Sequence, residues 1–369
     1  MMLGYYFPNE FAEPLLWHPV LFAYSLLVSG ADLLILVALA YLSRSLRKAI
    51  PLMTILGIGF FAVVMAGPLA DLRSPHRAPL IFTLPHIVST AANPGISLIA
   101  FQSIIWLVAL ALSIIFALLT FSYYSYQASL MSAGFRKKFY QVFSFGITTA
   151  ERYGAVEKVA KVVAVLMLPF LTLWGIYPAS LFIMQTWNPV WRSWVLLPIA
   201  YFADTFVVAT ALFMLVYFCW RYKALERDVV IPVLKIHAAG SLSLAALTGL
   251  QMAVWWFWSS STAEMVTPLI PIMYLVVALL LLSFFLSLIA MRYPAAILAV
   301  SLVAMAGTFT NKWNIIINAQ LVSKTGLAFL EAELGGLWPL ETAAPIALGV
   351  AVFIFLSMLF PLEVRESGK

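Results

Sequence analysis

Between Pro68 and Ser97 the sequence reads PLADLRSPHRAPLIFTLPHIVSTAANPGIS, which gathers Asp71, Arg73, His76, Arg77 and His86 in one short stretch. Carboxylate, imidazole and guanidinium groups so close together are the parts of a site that binds a polar small molecule and exchanges protons with it. Apolar runs long enough to cross a bilayer flank the stretch on both sides. A charged, proline-rich connection between two spans is costly unless it meets water, a partner or a polar ligand. It reads as the lid of a small-molecule site at one face of a helical membrane protein.

Composition sets the class that must position these groups. Of 369 residues, 64% are hydrophobic and 10% charged. A soluble domain cannot hide that much apolar surface, so most of it faces lipid or other helices. The net charge of +6 is spread over short loops and is not the footprint of a nucleic-acid binder. The single cysteine, Cys219, excludes internal disulfides and a cysteine-ligated cluster carried by this chain alone. Glu10 and Glu13 precede the first apolar run and no basic residue does, so no cleavable signal peptide is expected.

About nine segments meet the length of roughly 20 apolar residues that a span requires. They lie near 19–43, 49–70, 97–121, 159–184, 193–219, 230–258, 267–290, 294–318 and 342–361. Ser122–Lys158 is polar, and Phe135–Phe145 within it has the pattern of an amphipathic helix on the membrane surface. The fold class is therefore all-α and polytopic. The spans divide into a first four-helix bundle over 1–186, a second over 187–320, and a loop with a final span over 321–369. With the N-terminus outside, sixteen of the 21 Lys and Arg residues fall inside and five outside, the five being Arg73, Arg77, Arg192, Lys312 and Lys324. That bias favours N-out and C-in in the cytoplasmic membrane, with the lid outside.

Ionisable residues within spans are rare and informative. Asp32 lies near the middle of the first span and Asp204 near the middle of the fifth, while His237 sits about two turns into the sixth from its inner end. A carboxylate at that depth is protonated, paired or on a water path, so a proton route and a simple hydrogen-bonded helix tie both remain open. Each aspartate follows alanine, in spans four apart, which hints at two parallel four-helix units. Trp187, Trp191, Trp194, Trp255, Trp256, Trp258 and Trp338 fall near outer span ends. They suit an interfacial belt, or the wall of a slot for a flat ring.

Two other function classes meet obstacles in the residues. A membrane cytochrome needs axial haem ligands inside the bundle, and only His18, His76, His86 and His237 exist, one of them deep. A secondary transporter would show inverted repeats and spans broken at mid-depth, and neither is evident here.

The chain resembles the NrfD-like, or polysulfide-reductase, membrane-anchor family. Asp71-Leu72-Arg73-Ser74-Pro75-His76-Arg77 is similar to its outer D-L-G-R-P-x-R segment, with Arg73 and Ser74 where that family has Gly and Arg. Asn93-Pro94-Gly95-Ile96-Ser97 resembles the N-P-x-S motif that opens the third span. Tyr177-Pro178-Ala179-Ser180-Leu181, then Pro189-Val190-Trp191 and Leu197-Pro198, resemble the fourth and fifth spans. Asn311-Lys312-Trp313-Asn314 is similar to a late basic-aromatic-Asn motif, with Lys where Arg is frequent. Trp338-Pro339-Leu340-Glu341 resembles the longer members.

The resemblance implies a quinone-binding membrane subunit, for menaquinone or a similar quinone, with no metal or covalent cofactor of its own. An iron–sulfur subunit would dock on the outer face and a catalytic subunit, of molybdopterin type, would lie beyond it. Quinone chemistry needs donors to two carbonyl oxygens, a proton acceptor and an apolar slot. His18 at the head of the first span, Asp71, Arg73 and Arg77 in the lid, and Tyr177 in the fourth span supply those types. Asp32, Asp204 and His237 would form a proton path. For His18 an interfacial position is an equal alternative, and Asp71 with Arg77 would equally make a salt bridge that closes the loop. The alternatives for the whole chain are the membrane subunit of a quinone-linked hydrogenase, that of a haem-bearing sulfur-cycle or quinol-oxidising complex, and a transporter.

Overall fold

A computed structural model describes residues 16–71, 98–183, 188–191, 196–257, 266–322 and 338–362. Among them it contains no strand, and nine helices are long and apolar enough to cross a membrane. These spans are Ser25–Ser43, Ile50–Leu69, Ala100–Leu130, Ala150–Ser180, Leu196–Arg221, Arg227–Phe257, Thr267–Ala290, Pro294–Asn318 and Trp338–Leu359. The chain is an all-α multi-pass membrane protein.

The helices begin and end where the sequence gives local reasons. Pro51, Pro268, Pro271 and Pro294 stand in first turns, where a missing backbone N–H leaves no hydrogen bond unmade. Arg44 ends the first span in a left-handed conformation (φ 57°), and its loop closes with Ser45 N–H on the Ala40 carbonyl at 2.9 Å. The first span itself begins irregularly. Helix His18–Phe22 passes into a π-helical turn, Ala23–Leu27, before the regular helix Ser29–Ser43. The eighth span carries a second π turn, Trp313–Asn318, directly after Lys312. Such turns release carbonyls from the regular ladder and recur at functional sites.

The third and fourth helices run on past the ends expected from hydropathy. They cover Leu98–Leu130 and Ala150–Ile183, so most of Ser122–Lys158 is helix rather than connection. At about 1.5 Å per residue each is near 50 Å long, well beyond the roughly 30 Å of hydrocarbon. Tyrosines and serines tolerate the interface, and the two extensions hold each other through the stacked rings of Tyr123 and Tyr153, 5.3 Å apart. Between them lies the short helix Gly134–Phe143. Its Phe139 and Phe143 pack on Phe360 at 6.0 and 5.2 Å, and Arg136 Nη2 donates to the Met358 carbonyl at 3.2 Å. The surface helix thus clasps the end of the ninth span.

The first span is the axis of the molecule. It packs against the second, fourth and fifth spans, while the third lies along the fourth. The fifth to eighth spans form a second set of neighbours, in which the eighth returns to the fifth. The ninth rests on the second and on helix His18–Phe22, with only 17% of its apolar window buried against 78% for the first two. Close approach of the first two spans depends on Gly30. A Cβ there would lie 2.5 Å from the Phe61 nitrogen and 2.6 Å from the Gly57 carbonyl, which is backbone that cannot give way.

Candidate functional site

The middle of the bundle holds a cluster of ions with no access to water. Lys312 Nζ, from the eighth span, pairs with Asp204 Oδ1 of the fifth, and the two side chains are 0% and 1% exposed. Asn311 Nδ2 donates to the other carboxylate oxygen at 2.7 Å. The ring of Tyr201 lies under the ammonium, its centroid 5.3 Å from Nζ. Asp32 reaches the same place from the first span, fully buried, with Thr205 and Lys312 as its polar neighbours. The Thr205 hydroxyl donates to the Phe202 carbonyl at 3.0 Å, and neither Asp32 oxygen has a hydrogen-bond partner. Gly175 of the fourth span makes room, since a Cβ there would stand 3.5 Å from Asp32 Oδ1 and 3.1 Å from the Phe202 ring. Two carboxyls and one ammonium therefore share one dry volume. A buried charge without a partner is strongly disfavoured, so the second carboxyl is the group whose charge the pair leaves unbalanced.

His237 is held by hydroxyls from three helices. Its Nδ1 lies 2.7 Å from Thr210 Oγ1, and its Nε2 lies 2.9 Å from Ser283 Oγ and 3.4 Å from Ser241 Oγ. Thr210 Oγ1 is also 2.9 Å from the Val207 carbonyl, to which it donates. That leaves Nδ1 as the donor to Thr210 and Nε2 as the acceptor from Ser283, a tautomer inferred from the partners. Ser287 donates to the Ser283 carbonyl at 2.7 Å, one turn closer to the arginine-bearing end of the seventh span. Thr210 stands six residues from Asp204 on the fifth span, a rise of about 9 Å. Buried Ser301 and Thr308 mark the same depths on the eighth span.

The opposite end of the spans is rich in aromatic rings. Trp17 stacks on Trp191, centroids 6.1 Å apart and planes 4° from parallel, and Phe182 closes on both. His18 lies between Trp313 and Trp338, at 6.1 and 5.7 Å. The π turn after Lys312 is pinned here, its Ile315 carbonyl accepting from Trp191 Nε1 at 2.7 Å, and the Ala319 carbonyl just beyond it accepting from Asn188 Nδ2 at 2.7 Å. Four buried polar groups at this end have no hydrogen-bond partner among the described residues: His18 Nε2, Gln102 Nε2, Trp174 Nε1 and Tyr177 Oη. Buried polar groups are nearly always satisfied, so four orphans in one layer point to a polar ligand or to water. A cavity of about 300 Å³ opens beneath, between the first π turn and the fifth, eighth and ninth spans. Leu26, Val208, Met305, Phe309 and Ile346 line it, with Ser25 and Thr308 as its polar contributions.

No family model matches this sequence. Over 366 residues, which cover 99% of this chain and 98% of the other, it is 40% identical to the C subunit of tetrathionate reductase from Archaeoglobus fulgidus. The chain belongs to the family of that membrane-embedded tetrathionate reductase component. In this homologue the residues singled out from the sequence fall into three places. Asp32 and Asp204, far apart in the chain, meet at one lysine, whereas His237 forms a separate cluster. His18 and Tyr177 are both buried in the aromatic layer, but in different surroundings, His18 among tryptophans and Tyr177 against Phe101 at 5.7 Å. Asp71 ends the short helix Ala66–Asp71, which packs on helix His18–Phe22. Arg73 and Arg77, like the rest of the lid, lie outside the described residues.

Lys312 corrects the sequence reading. Counted there among outer, interfacial lysines, it is instead wholly buried and turned inward to Asp204. The preceding carboxamide, Asn311, turns the same way, and Trp313 faces His18. A sign was available: Lys312 precedes Asn318, the end of its span, by more than a helical turn, deeper than snorkelling to the nearer surface reaches easily. Asn311, Thr205, Thr210, Ser283 and Gln102 gave no such sign, because small polar residues in spans are common.

Proposed function

We propose that this protein binds quinone or quinol at its tryptophan-rich end, as the membrane subunit of a respiratory oxidoreductase that acts on sulfur compounds. In this reading it passes electrons between the quinone pool and an iron–sulfur subunit docked on the same face, which in turn serves a catalytic subunit of molybdopterin type. Full-length kinship with a tetrathionate reductase component supports the assembly. The observation that carries the quinone site is the set of four unpartnered buried groups, His18 Nε2, Gln102 Nε2, Trp174 Nε1 and Tyr177 Oη, in an aromatic layer. Reduction of a quinone takes up two electrons and two protons, and oxidation of the quinol returns them. The site must therefore donate hydrogen bonds to two carbonyl oxygens and hold a proton nearby. A phenol, an indole, a carboxamide and an imidazole meet those demands without a net charge that would repel an apolar ring.

A proton route is the second part of the proposal. Asp32 takes and gives the proton, Lys312 and Asp204 fix its surroundings, and His237 with Thr210, Ser283 and Ser287 continues toward the basic end. The gap from mid-membrane to either surface is about 15 Å, so waters or hydroxyls must carry part of it. Binding of a quinol-analogue inhibitor to the assembled complex tests the first part. His18→Gln and Tyr177→Phe should each weaken it while the complex still assembles, and unchanged binding in both would refute the site. Proton uptake from the basic side by vesicles holding the complex tests the second.

A further inference from the structure

At the basic end, the termini of the first four spans surround a polar pocket that neither the quinone site nor the proton route uses. It has a volume of about 100 Å³ and is lined by Tyr41, Arg44, Arg47, Ile50, Tyr124, Tyr153 and Glu157. We infer that this pocket binds a phosphate group, such as that of an anionic phospholipid headgroup, through Arg44, Arg47 and the Tyr41 hydroxyl.

Charge is the first argument. The neighbouring lysines are already engaged, Lys48 by Glu226 at 2.6 Å and Asp228 at 3.1 Å, and Lys161 by Glu157 at 2.8 Å. Arg44 and Arg47 have no carboxylate partner among the described residues. With Lys161 neutralising Glu157, the lining keeps two positive charges, which matches a phosphate mono- or diester. Guanidinium forks and phenol hydroxyls are the donors that suit phosphate oxygens.

Geometry is the second argument. The Tyr41 hydroxyl lines the pocket, buried and without a hydrogen-bond partner of good geometry, the Tyr153 phenol being its polar neighbour. Its ring is fixed edge-on against Phe116 at 5.1 Å, and Tyr153 is fixed by its stack on Tyr123, so the hydroxyl-bearing wall is rigid. Arg44 and Leu46 both hold positive φ, 57° and 50°, conformations that glycine or asparagine adopts far more readily. Side chains retained at such positions are a feature of ligand clamps. The location favours a lipid source, because Ile50 continues the pocket into the apolar part of the second span.

The test uses the full chain, delipidated in detergent, with the melting temperature and the ligands retained in native mass spectrometry as readouts. The probes are phosphatidylglycerol, diacylglycerol and inorganic phosphate. Phosphatidylglycerol should raise the melting temperature and stay bound, diacylglycerol should do neither, and Arg44→Gln with Arg47→Gln should weaken retention by about tenfold or more. Tyr41→Phe, which keeps the ring and its packing, should weaken it less. Protection by inorganic phosphate alone, lost in the same variants, would assign the pocket to a soluble phosphate compound instead of a lipid. No binding of either phosphate probe, or binding indifferent to Arg44, Arg47 and Tyr41, would overturn the inference.

Discussion

Lys312 and Asp204 meet across the fifth and eighth spans with no water-exposed surface on either charged group. Such a pair is held more by the cost of separating it than by its net contribution to stability. Lys312→Met should therefore lower stability by about 3–5 kcal/mol, because it leaves two buried carboxyls without a cation. The double variant Lys312→Met/Asp204→Leu should recover most of that loss. Denaturation of the purified chain in mixed micelles measures both. A double variant no more stable than the single one would show that the ion pair is not what ties these helices.

Asp32 differs from Asp204 in having no hydrogen-bond partner of its own. Asp32→Asn should be well tolerated by the fold, within about 1 kcal/mol, since an amide there loses no bonded donor and avoids a buried charge. It should nonetheless reduce proton uptake coupled to turnover in vesicles. A variant that is destabilised but fully coupled would make Asp32 a structural tie only.

His237 links three helices through Thr210, Ser283 and Ser241. Hydrogen bonds between membrane helices contribute about 0.6–1.7 kcal/mol each. His237→Leu should thus cost about 1–3 kcal/mol, and His237→Gln, which keeps one donor and one acceptor, should cost less. Thermal unfolding of the two variants side by side checks the order.

Two glycines that look alike in sequence should behave differently. At Gly30 an added methyl meets the Phe61 nitrogen at 2.5 Å and the Gly57 carbonyl at 2.6 Å, both backbone. At Gly349 it meets Leu27 Cδ2 at 2.6 Å, the end of a flexible side chain. Gly30→Ala should cost about 1–3 kcal/mol and push the first two spans apart, whereas Gly349→Ala should be tolerated after a leucine rotation. Equal melting temperatures for the two variants would contradict the packing described.

These contrasts mark what the sequence makes legible. Nine spans are readable because about 20 apolar residues have no other use than crossing a bilayer or filling a core. The amphipathic helix is readable from its alternation of phenylalanine and basic residues, but not its clasp on Phe360. The depth of Asp32 and Asp204 follows from counting along their spans. Their meeting at one lysine does not, because span order carries no information on rotation about each helix axis. Lys312 is hard to place for the same reason: a lysine near a span end is ordinarily drawn to the interface, and only its partner on another helix reveals that it turns inward. The π turns left no signature beyond an ordinary apolar run. His18 and Tyr177 fall where quinone chemistry would want them, yet their unpartnered polar atoms appear only with the fold.

The most direct measurement of the quinone site is photo-crosslinking of the assembled complex with an azido-menaquinone analogue, followed by mass spectrometric mapping of the labelled peptides. Labelling that is displaced by unlabelled quinol should fall on peptides carrying His18, Gln102, Trp174 and Tyr177, the residues whose buried polar groups lack partners. Displaceable labelling confined to the basic end of the spans, or absent from this chain altogether, would contradict a quinone site in the aromatic layer.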